Sequence, residues 1–580
     1  MRKTLIILLT CALLFSLALV AAAVPAVVDN SVVPANQEVS PGWSGWGEGC
    51  TDIMVGKNAT VDGSVTATYS CDGALYASIE VVPERSYPPG TVTPLYYRPF
   101  PECYEDYLEA AKQVKRVGEM PQVERTNRYL SIKVWYDDQR VGGMNEYGVT
   151  IGETTIPGRK ELVNEKGLLG AYMNYPETSL MVLGLERAKT AREAIQVMGS
   201  LAEKYGYHAP MGPEHMTVAD GNEVWAFEIF GPGPDWYPGS DKPGAVWCAQ
   251  RIPDGEVGVS ANRSRIGQID LDDPDHFMAS PNVFSLAEEM GWYDPKSGKP
   301  FIWYEAYGPS NSRGSRLREW RVLSLVAPSL NLDPEADRFP FSVKPDKPLS
   351  VQDIMAIHRD VLQGTPYDVT ENPAFYVNGK KSPLASPFGP DDLYDLLGVR
   401  PERTVACSVS VFTYVAQIRS WLPDPVKGCL WFGFGNAATT CYVPIYSGVT
   451  QVPSSWSTTD LRKVNRENTY WAFNLVNTLS LIKYQEAIKD IKGVRDPAET
   501  NFFAIQPAIE SAAVALYDSK GPTAAQDFIT NYTNACLNEV SDTYWELVDY
   551  LLFKYYFKTW VPEPGPLPMV MPPVLLLMGQ

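Results

Sequence analysis

GWGEGCTDIMVGKNATVDGSVTATYSCDG, residues 45–73, holds two alternating apolar segments on either side of a polar turn. Residues 50–56 and 64–70 predict two strands, and the intervening KNATVDG predicts their connection, with Asp62-Gly63 supplying a positive-φ position. The hairpin places Cys50 at the exposed start of its first strand. A chain cut before Cys50 would carry a thiol and a free α-amine on one residue. Their unperturbed pKa values, about 8.5 and about 7.7–8.0, let each exchange a proton with the other near neutral pH without a histidine. The plain alternative is a small buried core residue.

The sequence before Cys50 makes such a cut plausible. Residues 1–23 run from Arg2 and Lys3 through an apolar stretch at 5–20 to Ala21, Ala22 and Ala23, the layout of a signal peptide. A membrane-spanning reading is weaker, because the stretch is near the lower limit for spanning and the small-residue exit follows at once. Residues 24–49, rich in Val, Pro, Asn and Ser, carry no helical or strand period and read as a propeptide. Cys11 goes with the signal. The expected destination is outside the cell, or the periplasm and envelope.

Composition bounds the rest. A chain of 580 residues with 45% hydrophobic and 12% aromatic content can bury a large core. A net charge of −19 argues against nucleic acid and anionic membrane surfaces as partners. Nine cysteines include Cys11 and Cys50, and pairs such as Cys71 with Cys103 or Cys429 with Cys441 are open because spacing does not give connectivity. No C-x-x-C pair or Cys/His cluster has zinc spacing, so no metal framework is expected. There is no G-x-S-x-G, H-E-x-x-H or full phosphate loop. Of the four histidines, His208 and His215 flank a Pro/Gly turn and read as structural. Gly433-Phe434-Gly435-Asn436-Ala437-Ala438 half matches a dinucleotide fingerprint, with no ribose-binding acid at the right distance after it.

Strand-like pieces continue at 131–156, and helices follow at 179–187 and after the capping box Thr190-Ala191-Arg192-Glu193. Strands return at 216–219, 224–230, 245–250 and 255–261, a helix is expected through Ser315–Arg321 and the apolar run after it, and 401–448 is β-rich. Residues 463–557 read as long helices, and 561–580 as a proline-broken tail. Strands, a helical layer and more strands predict an α+β fold of stacked layers with two sheets inside. No fixed repeat or long linker divides residues 50–560, which read as one catalytic unit.

Several long motifs in fixed order carry a family resemblance: CTDIMVGKNATVDGS from Cys50, GMNEYGVTIGETT at 143–155, NEVWAFEIFG at 222–231, CAQRIPDGEVGVSANRSRIGQID at 248–270, RDVLQGTPYDVT at 359–370 and RSWLPDPVKGCLWFGFGNAATTCYVPIYSGVT at 419–450. Together they resemble the cysteine dipeptidases of the N-terminal nucleophile hydrolases, a group related to the secernins. The resemblance implies an αββα core, self-cleavage before the nucleophile, and cofactor-free hydrolysis of amide bonds in short peptides. It implies Cys50 as nucleophile, Asp72 as the acid orienting its amine, Asn262 near the oxyanion or amine, and Arg316 closing the constellation. One departure stands out: many relatives read Arg-Asn-x-Asp where this chain has Tyr69-Ser70-Cys71-Asp72, which replaces a cation with a neutral phenol.

The residues leave other readings of the same positions open. Asp72 could cap the hairpin, Asn262-Arg263-Ser264 fits a glycosylation sequon, and Arg316 could pair on a helix surface. An N-acyl amide hydrolase would use the same centre. An exported binding protein on an inherited hydrolase fold is the non-catalytic alternative. The expected partner is a small peptide, with no membrane contact after signal removal, and a homo-oligomer stays open.

Overall fold

The computed structural model describes residues 49–73, 76–97, 112–134, 139–171, 178–208, 212–458, 463–556 and 565–571. The expected signal peptide, nearly all of the propeptide, most of the tail, and Cys103 lie outside the described residues.

The strands of two large sheets, in chain order, are β1 (Asp52–Val55), β2 (Val65–Asp72), β3 (Ala77–Val82), β4 (Tyr129–Val134), β5 (Gln139–Asn145), β6 (Thr150–Thr155), β7 (Glu214–Ala219), β8 (Val224–Phe230), β9 (Val246–Arg251), β10 (Val257–Ser260), β11 (Phe277–Ala279), β12 (Ser342–Val343), β13 (Ser410–Ile418), β14 (Gly428–Phe434) and β15 (Val443–Tyr446). One sheet has the order β12-β10-β1-β2-β13-β14-β15 and the other β11-β9-β8-β7-β6-β5-β4-β3. Neighbouring strands are antiparallel throughout. The expected hairpin forms: Met54 pairs with Ala67, and Gly63 has φ +82° in the turn.

The sheets face each other, with β2 packed on β6 and β7. Strands buried on both faces read as nearly continuous apolar or small-residue runs, such as VWAFEIF in β8 and SVFTYVAQI in β13. Helices α1 (Leu180–Arg187) and α2 (Ala191–Tyr205) cover the outer face of the eight-stranded sheet, where Met181, Ile195 and Met198 join Ile151, Val218 and Phe227 in one apolar cluster. The Thr190 side chain caps α2 by accepting from Glu193 N, while Glu193 reaches back to Lys189 N, one residue before the cap. Helices α5 (Thr469–Ser480), α6 (Tyr484–Lys520) and α7 (Pro522–Tyr556) back the seven-stranded sheet, with Phe503 stacked on Trp431 at 4.1 Å. The result is an α+β molecule of four layers, helices outside and two sheets inside. Among the described residues no helix is long and apolar enough to cross a membrane.

Two further helices bear on the site: α3 (Arg313–Val326), before α4 (Val351–His358) in the chain. The half-match to a dinucleotide fingerprint is the end of β14 followed by a turn, in which Asn436 accepts from Ala438 N. The Cys429–Cys441 pairing is not formed: both thiols are free and buried, and Cys71 is free as well. They sit as small apolar residues within the main core.

The sheets approach closely at Gly152 in β6. A methyl group there would lie 2.8 Å from Tyr69 Cβ and 3.2 Å from Asp52 Oδ2 on the facing sheet. Gly152→Ala is therefore expected to destabilise the fold by about 1–3 kcal/mol through overpacking. Denaturant unfolding of the two proteins measures it, and an unchanged midpoint would show that the sheets separate freely there.

Candidate active site

Cys50 precedes β1, and the bridge from Thr51 to Ser70 of β2 fixes it: Thr51 N donates to Ser70 Oγ at 2.9 Å, and the two residues exchange backbone bonds at 3.2 Å. Rather than exposed, as the hairpin alone predicted, Cys50 is buried with 6% of its surface accessible. The seven-stranded sheet has been closed over by the facing sheet and by α3. Its φ of +47° is a left-handed conformation that a non-glycine residue adopts at a cost of roughly 1–3 kcal/mol. Gly49 passes close to β2, where a Cβ would stand 3.1 Å from the Asp72 carbonyl oxygen.

A buried arginine converges on this segment, and it is Arg318. Its Nη1 donates to the carbonyls of Cys50 at 2.6 Å and Gly49 at 3.0 Å, and to Thr51 Oγ1 at 3.0 Å. Its Nη2 reaches Asn262 Oδ1 at 3.0 Å and the Ala261 carbonyl at 3.4 Å. Arg316, expected here, lies elsewhere. Its Nη1 donates to the carbonyls of Glu335 and Ala336 at 3.2 Å, and it stands 3.7 Å from Asp337. Two positions along a helix turn a side chain by about 200°, so Arg316 and Arg318 face opposite ways. Arg318 shares the inward face of α3 with Ser315, Val322 and Val326.

Asn262 follows β10 with φ +59°, a conformation asparagine tolerates. Its Nδ2 donates to the Thr155 carbonyl at 2.8 Å, which ties the end of one sheet to the other and leaves one amide hydrogen for a further acceptor. Both polar atoms of the amide are thus engaged within the fold, which disfavours the sequon reading. Next to Asn262, Arg263 Nε and Arg265 Nη1 donate to buried Glu319 of α3, at 3.1 and 2.7 Å. This frame locks the helix carrying Arg318 against the loop carrying Asn262.

Asp72, at the end of β2, accepts from Ser410 Oγ at 2.5 Å and forms an ion pair with Arg403. Its negative charge is felt at Cys50. The structure therefore brings Cys50, Asp72 and Asn262 to one place and adds Arg318, with Arg403 and Ser410 behind Asp72.

The floor beneath the thiol is acidic. Cys50 Sγ donates to Glu153 Oε1 of β6 at 3.8 Å, and Tyr69 Oη also donates to that oxygen. Tyr69 is wholly buried between Phe412 and Tyr414. A hydrogen bond with Cys71, burial and the charge of Glu153 hold the Cys50 thiol well above its usual range. Burial raises Glu153, against hydrogen bonds from Tyr69, Glu214 and Cys50 that lower it. Burial and the nearby Glu153 push Asp52 up strongly. The thiol is thereby held toward its protonated form. The histidines stand apart: His215 Nδ1 faces Glu228 at 3.3 Å, and His358 Nε2 meets Thr68 Oγ1 at 2.8 Å.

The family model for peptidase family C69 matches residues 49–496, beginning one residue before Cys50. A probable dipeptidase of Latilactobacillus sakei is 26% identical over 488 residues, covering 80% of this chain and 89% of the relative. Dipeptidase A of Lactobacillus helveticus is 24% identical over 448 residues, 75% of this chain and 82% of its own length. A dipeptidase of Bifidobacterium longum is 24% identical over 466 residues, 74% and 76% of the two chains.

Proposed function

We propose, since this chain belongs to peptidase family C69 and is a cysteine-type dipeptidase, that its nucleophile is Cys50, freed by self-cleavage of the Gly49–Cys50 bond. The observation that carries this reading is the convergence of Arg318 on the Gly49 and Cys50 carbonyls and on Asn262. A guanidinium on the Gly49 carbonyl makes its carbon more electrophilic and meets the negative charge its oxygen gains on attack. The left-handed backbone at Cys50 adds strain that the cut relieves, because φ is no longer fixed by a peptide bond.

Once free, the Cys50 amine takes the thiol proton, and Sγ attacks the carbonyl of a bound dipeptide. The spare amide hydrogen of Asn262 and backbone N–H groups meet the oxyanion that develops. The new ammonium, with Asp72 close by, then protonates the leaving amine, and water hydrolyses the thioester. The leader and propeptide read from residues 1–49 make this an exported enzyme, activated after or during export.

Substrate class is tested by assaying free dipeptides, N-acetylated dipeptides and N-acyl amides side by side. Preference for free dipeptides is expected, and turnover of N-acyl amides alone would assign the centre to the other amidase class. Asp72→Asn is expected to lower kcat by about 100-fold with a smaller change in KM, because the interaction lost grows as the amine gains charge. Steady-state kinetics on one dipeptide decide it, and wild-type kcat would leave Asp72 only its pairing with Arg403 and Ser410.

A further inference from the structure

In the uncut chain the Cys50 nitrogen is a peptide amide, so the amine that serves the mature enzyme as base does not yet exist. Self-cleavage needs another acceptor for the thiol proton. The Asp72 carboxylate is taken by Arg403 and Ser410, and His215 and His358 face Glu228 and Thr68. Glu153 Oε1 is the oxygen to which Cys50 Sγ donates, at 3.8 Å, from the middle of the facing strand.

We propose that Glu153 is the base of self-cleavage, doing before the cut what the Cys50 amine does after it; the assignment rests on the self-cleavage reading above. Glu153 Oε1 takes the Sγ proton as Sγ bonds to the Gly49 carbonyl carbon, whose oxygen Arg318 Nη1 holds at 3.0 Å. Collapse breaks the Gly49–Cys50 C–N bond, and the same proton passes from Glu153 to the departing nitrogen. A thioester and a free amine result. Water then hydrolyses the thioester, leaving the Gly49 carboxylate and the restored thiol. Burial suits Glu153 to the task by raising its affinity for a proton.

Glu153→Gln keeps the shape and removes the base. The full-length protein, followed by intact mass with and without hydroxylamine, is expected to mature at least about 100-fold more slowly and to show no hydroxylamine-dependent cleavage at Gly49. Maturation of Glu153→Gln at the wild-type rate overturns the assignment. So does accumulation of a hydroxylamine-sensitive thioester, which would place Glu153 in the second step. A wild-type chain that stays uncut overturns the self-cleavage reading and Glu153 with it, an outcome distinct from a wild type that cuts beside a variant that cuts equally well. If Glu153→Gln shows no cooperative unfolding, Tyr69→Phe decides. It leaves the carboxylate in place and frees Oε1 of a competing donor, so maturation at or above the wild-type rate is expected, and a tenfold loss overturns the proposal.

Discussion

Cys50→Ala is expected to stay at precursor length and to lose dipeptide hydrolysis by at least about 10,000-fold, because one atom, Sγ, serves both reactions. Alanine also removes the thiol that Glu153 accepts from, so a buried carboxylate loses a donor while Tyr69 remains on the same oxygen. The fold is expected to survive, since Thr51 and Ser70 hold the strand start through backbone and hydroxyl bonds. Intact mass and a dipeptide assay read both effects at once. An alanine variant that still matures would mean that an outside protease makes the cut.

Arg318→Lys is expected to slow maturation by about 100- to 1000-fold, the loss typical of a preorganised oxyanion donor on the Gly49 carbonyl, and to slow turnover by at least about tenfold by releasing Asn262. The guanidinium spans two sets of acceptors: Nη1 on the Gly49 and Cys50 carbonyls, and Nη2 on Asn262 Oδ1 and the Ala261 carbonyl. A single ammonium on a flexible stem reproduces one set and abandons the other. Arg316→Ala is the control on the same helix. Its side chain braces the carbonyls of residues 335 and 336 and makes no hydrogen bond to Cys50, Asn262 or Gly49, so its loss is expected to change turnover by less than about threefold. Matched kinetics of the two variants test the choice of arginine, and equal losses would return Arg316 to the centre.

That choice is not legible in the sequence, for a physical reason. The string Ser315-Arg316-Leu317-Arg318 offers two arginines, and family analogy does not say which one faces inward. Nor does the helical period: Leu317, Trp320 and Leu323 are buried as well as Val322 and Val326, so apolar residues run round the helix and both arginines have apolar neighbours on it. The hairpin around Asp62-Gly63, the helices at 180–205 and the C-terminal helices were legible because period and turn chemistry are local. Glu153 was not. It lies 103 residues from Cys50 on the opposite sheet, and only stacking of the two sheets brings it under the thiol. Tyr69 could be noticed as a departure from the family pattern, but its partner across the sandwich could not. The burial of Cys50 has the same origin, because a hairpin read alone has no second sheet above it.

The most direct measurement of the central claim is the N-terminal sequence and intact mass of the purified, catalytically active protein. A chain that begins at Cys50 with a free α-amine is the predicted result. An active protein that retains Gly49, or begins at any other residue, would contradict an N-terminal nucleophile at Cys50.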